Sequence, residues 1–155
     1  MPESVEDRIV HTIAQCAALY HRLMVVAGPS GSGKTRALKS VHERTKTPLI
    51  NVNLELSRRM LDLTERQRAL QVARLLDETI QAVEGETVLL DNTEILFHPS
   101  LKQEPLRLLQ TVSRNRTVIV TWNGKIEGDQ LIYAEPGHPE HRSHRIQDFL
   151  AVSTS

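Results

Sequence analysis

Two kinds of segment alternate along this chain. The first kind is short and largely apolar: Leu23-Met24-Val25-Val26-Ala27, Leu49-Ile50-Asn51-Val52-Asn53, Thr87-Val88-Leu89-Leu90-Asp91 and Thr117 to Trp122. Such runs predict buried strands. In the second kind, apolar residues recur at helical spacing. Residues 4–22 carry Val5, Ile9, Ile13, Ala17 and Tyr20 at that spacing, opened by a Ser4/Asp7 capping pattern with Glu6 and Asp7 in the first turn. Residues 36–44 place Ala37, Leu38 and Val41 on one face, and residues 54–61 read as a short helix. Thr64 with Gln67 caps a longer helix reaching Val83, with Ala69, Val72, Ala73, Leu76, Ile80 and Val83 as its buried stripe and Gly85 as its stop. A further helix is expected over 105–113.

Strands that alternate with helices predict parallel pairing through crossovers, hence a three-layer α/β/α domain with a mostly parallel sheet of about five strands. The fifth is expected as an edge strand at Gln130 to Ala134, after a turn at Asn123-Gly124. We read one domain over 1–155: an N-terminal helix at 4–22, a core at 23–134, and an irregular tail at 135–155 with a short element near Ile146 to Val152. Ligands of such sheets bind beyond the carboxyl ends of the strands. Asn51 and Asn53, Asp91 to Glu94, and Thr121 to Asn123 are therefore expected to converge.

Composition narrows the class. Nineteen basic and nineteen acidic residues cancel, so the net charge gives no support to DNA contact, which would need a local basic patch. The lone Cys16 excludes an intrachain disulfide and suits a reducing compartment; its helical position predicts buried filler. No apolar run is long enough for a membrane helix and the N-terminus has no signal-peptide core, which predicts a cytoplasmic protein. At 155 residues, folding would bury roughly 70% of the unfolded surface.

Directly after the first apolar run stands Gly28-Pro29-Ser30-Gly31-Ser32-Gly33-Lys34-Thr35, a complete G-x-x-x-x-G-K-[ST] phosphate-binding loop followed by Arg36 and a helix. The glycines let the backbone curl so that successive N–H groups can face phosphate oxygens, and the helix start adds unpaired amides and a favourable dipole. Lys34 is the expected partner of the β- and γ-phosphates of ATP or another nucleoside triphosphate, and Thr35 a ligand of Mg2+. Val88-Leu89-Leu90-Asp91 has the Walker B form, an apolar strand that delivers one carboxylate to the metal.

The residue that activates water is less sharply marked. A strand sits between the phosphate-loop strand and the Asp91 strand, which resembles the P-loop class with a catalytic glutamate directly after the Walker B aspartate. Here that position is Asn92, which cannot take a proton as a carboxylate can. Slow hydrolysis, or tight binding with little turnover, is the expectation from Asn92. Glu94 either swings in as the base or opens the next turn. Asn123 either resembles the sensor-1 asparagine of AAA+ ATPases or belongs to an Asn-Gly turn. Asn51 or Asn53 is a weaker candidate for the polar residue that restrains a glutamate. Arg114 and Arg116, before the fourth strand, are the candidates for an arginine finger offered to a neighbouring subunit, with Arg58 and Arg59 behind them. His138, His141 and His144 lack structural-zinc spacing and read as loop.

Several runs together resemble BrxF, the small P-loop component of type 3 bacteriophage-exclusion (BREX) defence systems. They are Tyr20-His21-Arg22-Leu23 into the phosphate loop, Leu54 to Arg59, Leu89-Leu90-Asp91-Asn92 through Phe97, Pro105 to Leu109, Ser113 to Thr117, and Tyr133 to Pro139. The resemblance implies an AAA+-like nucleotidase that acts beside a DNA methyltransferase and other BREX proteins against phage. It also implies that Asn92 belongs to the family pattern. About twenty residues follow the expected fifth strand, too few for the usual AAA+ C-terminal helical lid, so a homo-oligomer would be built from the core alone or with partners.

Two function classes follow. One is a self-assembling nucleoside triphosphatase; the other is a nucleotide-gated module that recruits proteins or DNA with negligible turnover. A small-molecule kinase fits the size but lacks an arginine-bearing lid.

Overall fold

A computed structural model describes residues 4–133 and 142–154. Five strands form the central parallel sheet in the order β2 (Leu49–Asn51), β3 (Thr87–Asp91), β4 (Thr117–Glu127), β1 (Leu23–Gly28), β7 (Leu150–Ser153). All four neighbouring pairs are parallel. β4 lies between the phosphate-loop strand β1 and the Asp91 strand β3.

Alternation along each strand builds the three layers. Leu23, Val25 and Ala27 of β1 join Val88, Leu90, Val118 and Val120 in one core, closed by α3 (Val52–Arg59), α4 (Glu65–Gln81) and α5 (Pro105–Val112). Met24, Val26, Leu89, Ile119 and Val152 form the opposite core under α1 (Val5–Cys16) and α2 (Lys34–Thr45). The N-terminal helix covers β7 directly: Arg8 Nη2 donates to the Ser153 carbonyl at 2.7 Å. Asp7 ties the same helix to Arg44 of α2 at 2.7 Å. That hydrogen bond, then one with Ser4, holds the Asp7 carboxyl below its ordinary range.

Four sequence expectations change. The first helix ends at Cys16, not at residue 22, and Tyr20 is exposed, because the chain must turn back into β1. On α4 the buried stripe runs through Val72, Leu75, Leu76, Thr79 and Ile80, leaving Ala73 outside. The Asn123-Gly124 pair is no turn: β4 continues to Glu127, and the reversal comes at Gly128, whose φ is +59°. Finally, β5 (Gln130–Tyr133) is antiparallel to β4 and pairs on its other side with β6 (Arg142–Arg145), so it is not an edge. The fifth parallel strand is β7, which overlaps the short element expected near Ile146 to Val152 in the tail.

β4 thus serves two sheets in succession. Residues up to Asn123 pair with β1, and from Gly124 onward they pair with β5 in an antiparallel arm. Glycine is required at 124 by approach, not by φ: a Cβ there would stand 1.8 Å from the Ile132 carbonyl oxygen. Among the described residues no helix follows α5, and none is long and apolar enough to cross a membrane.

Cys16 is fully buried, and burial pushes its thiol up to about 11, against a smaller opposing pull from Arg22. An aromatic disulfide reagent at mildly alkaline pH is therefore expected to leave Cys16 intact in the folded protein and modify it rapidly in guanidinium. Equal rates in the two states would contradict this burial.

Candidate functional site: a phosphate-loop pocket

The phosphate loop spans the gap between β1 and α2, and its glycines act for different reasons. Gly31 and Gly33 have φ of +79° and +98° with open space where a Cβ would stand, so they are conformational glycines. Gly28 is a close-approach glycine, with Thr154 Oγ1 and Ser32 Oγ 2.1 and 2.5 Å from a Cβ position. Gly33 occupies the N-cap of α2 and offers no side chain to its first amides, which leaves them to face an anion. Lys34 is buried, and its Nζ donates to the Gly28 and Pro29 carbonyls at 2.8 and 2.7 Å.

A pocket of about 320 Å³ opens over this loop. Ser30, Gly31, Gly33, Lys34 and Thr35 line one side; Asp91, Asn92, Glu94, Thr121 and Asn123 line the other. Of the expected phosphate-loop residues, Gly28, Pro29 and Ser32 shape the loop from outside this lining, while Arg36 lines a neighbouring groove with Thr35, Lys39, Ser40 and Glu43.

Opposite the loop, hydrogen bonds from β4 fix the acidic groups. Asp91 is buried, and its Oδ1 accepts a hydrogen bond from Thr121 Oγ1 at 3.0 Å. Thr93 Oγ1 donates to the Thr121 carbonyl at 2.9 Å, which ties the segment after β3 to β4. Between these anchors Asn92 adopts φ +54°, a left-handed conformation that asparagine tolerates better than most residues. Its carbonyl accepts from Asn53 N–H at 3.0 Å. The 3-10 turn Glu94–Phe97 starts immediately afterwards, and Asn123 Nδ2 donates to Glu94 Oε1 at 2.8 Å. Glu94 therefore both opens a turn and faces the pocket.

The donor set fits Mg2+ held together with phosphate oxygens. Asp91 and Thr35 are hard oxygen donors facing the same space, and Mg2+ at phosphate sites takes only one or two protein ligands. Among the described residues no cluster of three or more His, Cys, Asp or Glu could hold a metal alone.

Other candidates lie elsewhere. Asn51 caps α3 by accepting from Leu54 N–H, and Asn53 Oδ1 accepts from Ser57; the amide holding a glutamate is Asn123. Arg114 and Arg116 sit at the amino ends of the parallel strands, roughly 20 Å from the pocket end at the rise of a β-strand. Arg116 is buried with Nη1 donating to the Ile80 carbonyl, which withdraws it as a finger for another subunit. Arg114 is exposed, its guanidinium 4.9 Å over the Tyr20 ring. Arg58 and Arg59 are exposed on α3. His138 and His141 lie outside the described residues; His144 is edge-on to Trp122. Sequence reasoning included Thr93 only within the run Asp91 to Glu94, without a role, and missed Thr154. Thr154 donates through N–H to the Ala27 carbonyl and through Oγ1 to Ser32, so β7 buttresses the phosphate loop.

No protein-family model matches this chain, and no curated protein does either. Among solved structures it is similar to PCH-2 from C. elegans, at 16% identity and a TM-score of 0.46, over 96% of this chain. The chain spans 42% of the length of that structure.

Proposed function

We propose that this protein binds a nucleoside triphosphate with Mg2+ and hydrolyses it. The observation that carries the reading is the convergence of Lys34, Thr35, Asp91, Glu94 and Asn123 on one pocket over a complete phosphate loop. Loop amides and Lys34 would bind the phosphates, and Asp91 and Thr35 would hold the metal, which when bound offsets phosphate charge. Glu94 would take a proton from the attacking water as its oxygen bonds to the γ-phosphorus and the bond to the leaving phosphate oxygen breaks. Asn123 would hold the carboxylate in place and sense the γ-phosphate.

The left-handed backbone of Asn92 changes what its identity means. A glutamate at that position would carry a backbone cost of roughly 1–2 kcal/mol, whereas Asn92 lets the chain bend so that Glu94 reaches the pocket two residues later. Among the described residues no arginine lines the pocket, so we propose that transition-state charge is completed by another molecule. The exposed Arg114 of a second copy is the candidate, and activity would then depend on homo-oligomer formation. The resemblance to the BREX component supports a place among phage-defence proteins.

A second reading, a nucleotide-gated module with little turnover, is favoured by the Asn123–Glu94 hydrogen bond, which occupies the proposed base. The test is Mg2+-dependent ATP binding and turnover per molecule across a wide range of protein concentration. Lys34→Ala is expected to weaken ATP binding about tenfold to a hundredfold, as fits a charged contact of 1.5–3 kcal/mol. Asp91→Asn is expected to keep metal-free binding and lose most of the Mg2+ enhancement. Specific activity that rises with concentration and vanishes in Arg114→Ala supports the assembled enzyme. Binding without turnover at any concentration supports the module, and no binding at all refutes both.

A further inference from the structure

The antiparallel arm is joined to the pocket at both members of the Glu94–Asn123 pair. Glu94 begins the 3-10 turn that ends at Phe97, and the Phe97 ring stacks on Tyr133 of β5 with centroids 3.7 Å apart. Asn123 is preceded by Trp122, whose Nε1 donates to the Ile132 carbonyl at 3.2 Å and whose ring meets Phe97 edge-on at 5.0 Å. Asn123 is followed by Gly124, against which the same Ile132 carbonyl is pressed. Phe97, Trp122 and Tyr133 are all buried. The two-residue segment Ile132-Tyr133 therefore contacts chain neighbours of both ends of the 2.8 Å Asn123–Glu94 hydrogen bond.

We propose that Tyr133 is a positioning residue for the water-activating pair, and that the arm of β5 and β6 regulates the pocket through it. This rests on the hydrolytic reading for its effect on turnover, but not for its effect on the pair's geometry. Packed interiors shift between discrete arrangements rather than yield continuously. A displacement of β5 would move Phe97 and Trp122 together and separate the carboxylate from the amide. The phosphate loop starts at Gly28, which is paired with Asn123, but Thr154 also holds it through its N–H to the Ala27 carbonyl and its Oγ1 to Ser32, and these contacts would keep its shape. The arm would thus change the rate of the chemical step and not the affinity for nucleotide. An aromatic cluster that served only packing would change stability and leave the folded molecule's turnover number alone.

The experiment combines two readouts on Tyr133→Leu and Phe97→Leu, the second removing the same stack from the opposite side. Variants are first checked for wild-type far-ultraviolet circular dichroism. The Asn123 side-chain amide resonance, recorded without nucleotide, reports the hydrogen bond to Glu94, with Glu94→Ala as the reference for a free amide. In Tyr133→Leu and Phe97→Leu it is expected to move toward the free position. Turnover at saturating Mg-ATP is expected to fall at least tenfold in both variants, with ATP affinity within twofold of wild type. An unmoved resonance in either folded leucine variant, or a moved one with unchanged turnover, overturns the proposal. If the wild type binds ATP without turning it over, the hydrolytic reading falls and the resonance alone decides the coupling.

Discussion

Glu94→Gln is expected to lower turnover by about 10²–10⁴, the usual contribution of a positioned general base, while ATP affinity stays close to wild type. The substitution is nearly isosteric. Glu94 Oε1 accepts from Asn123 Nδ2 at 2.8 Å, and a glutamine carbonyl can accept the same hydrogen bond, so the pair should keep its geometry. What is lost is the capacity to hold the water's proton. Glu94 is exposed at the pocket wall, on a turn whose far residues are buried, so the change should cost little stability. Single-turnover kinetics with radiolabelled ATP, alongside equilibrium binding, separate the two effects. A turnover number within threefold of wild type would remove Glu94 as the base. The companion Asn123→Ala keeps the carboxylate but frees it, and should give a smaller loss.

The largest stability effect is expected at Gly124. Its Cβ position is 1.8 Å from the Ile132 carbonyl oxygen, 2.9 Å from the Ile132 carbonyl carbon and 3.1 Å from Trp122 Cδ1. The first two are backbone atoms in a paired strand, so no side-chain rotation relieves the clash. Gly124→Ala should therefore exceed the usual 1–3 kcal/mol of overpacking and reach about 4 kcal/mol. It should also weaken the Trp122 to Ile132 hydrogen bond. Gly31→Ala makes the contrast: nothing lies within 4 Å, but φ is +79°, and the cost is about 1–2 kcal/mol of backbone strain. Urea unfolding of the two variants distinguishes approach from conformation. Equal midpoints would mean that β5 moves aside at no greater cost than the backbone strain at Gly31.

Much of this architecture was legible because it rests on strong local patterns. The apolar runs at Leu23, Thr87 and Thr117 became β1, β3 and β4, and the complete loop motif fell between a strand and a helix. Their order brought Asp91, Glu94 and Asn123 together, since parallel strands end on one side. What was not legible depends on tertiary approach. Asn-Gly is a turn sequence when judged by local preference, but here Gly124 answers to a carbonyl that arrives from β5. β7 has only four residues and follows a polar, Pro/Gly/His-rich stretch; it is a strand because β1 offers it an edge. Asn92 was read by its missing carboxylate, whereas its left-handed backbone is what the fold uses. Arg116, a candidate arginine finger by its place before a strand, is buried against the end of α4.

The pairing of β1 with β7 has a consequence for how the protein is made. Met24 meets Leu150, and Thr154 props the phosphate loop near the start of the chain. On a ribosome, the loop sequence emerges early, while the strand that buttresses it emerges near the end of the described chain. Contacts between such distant residues form late, because loop closure must precede their reward. A nascent chain halted before β7 would present β1 with one open edge and a loop unsupported at Gly28, an aggregation-prone intermediate.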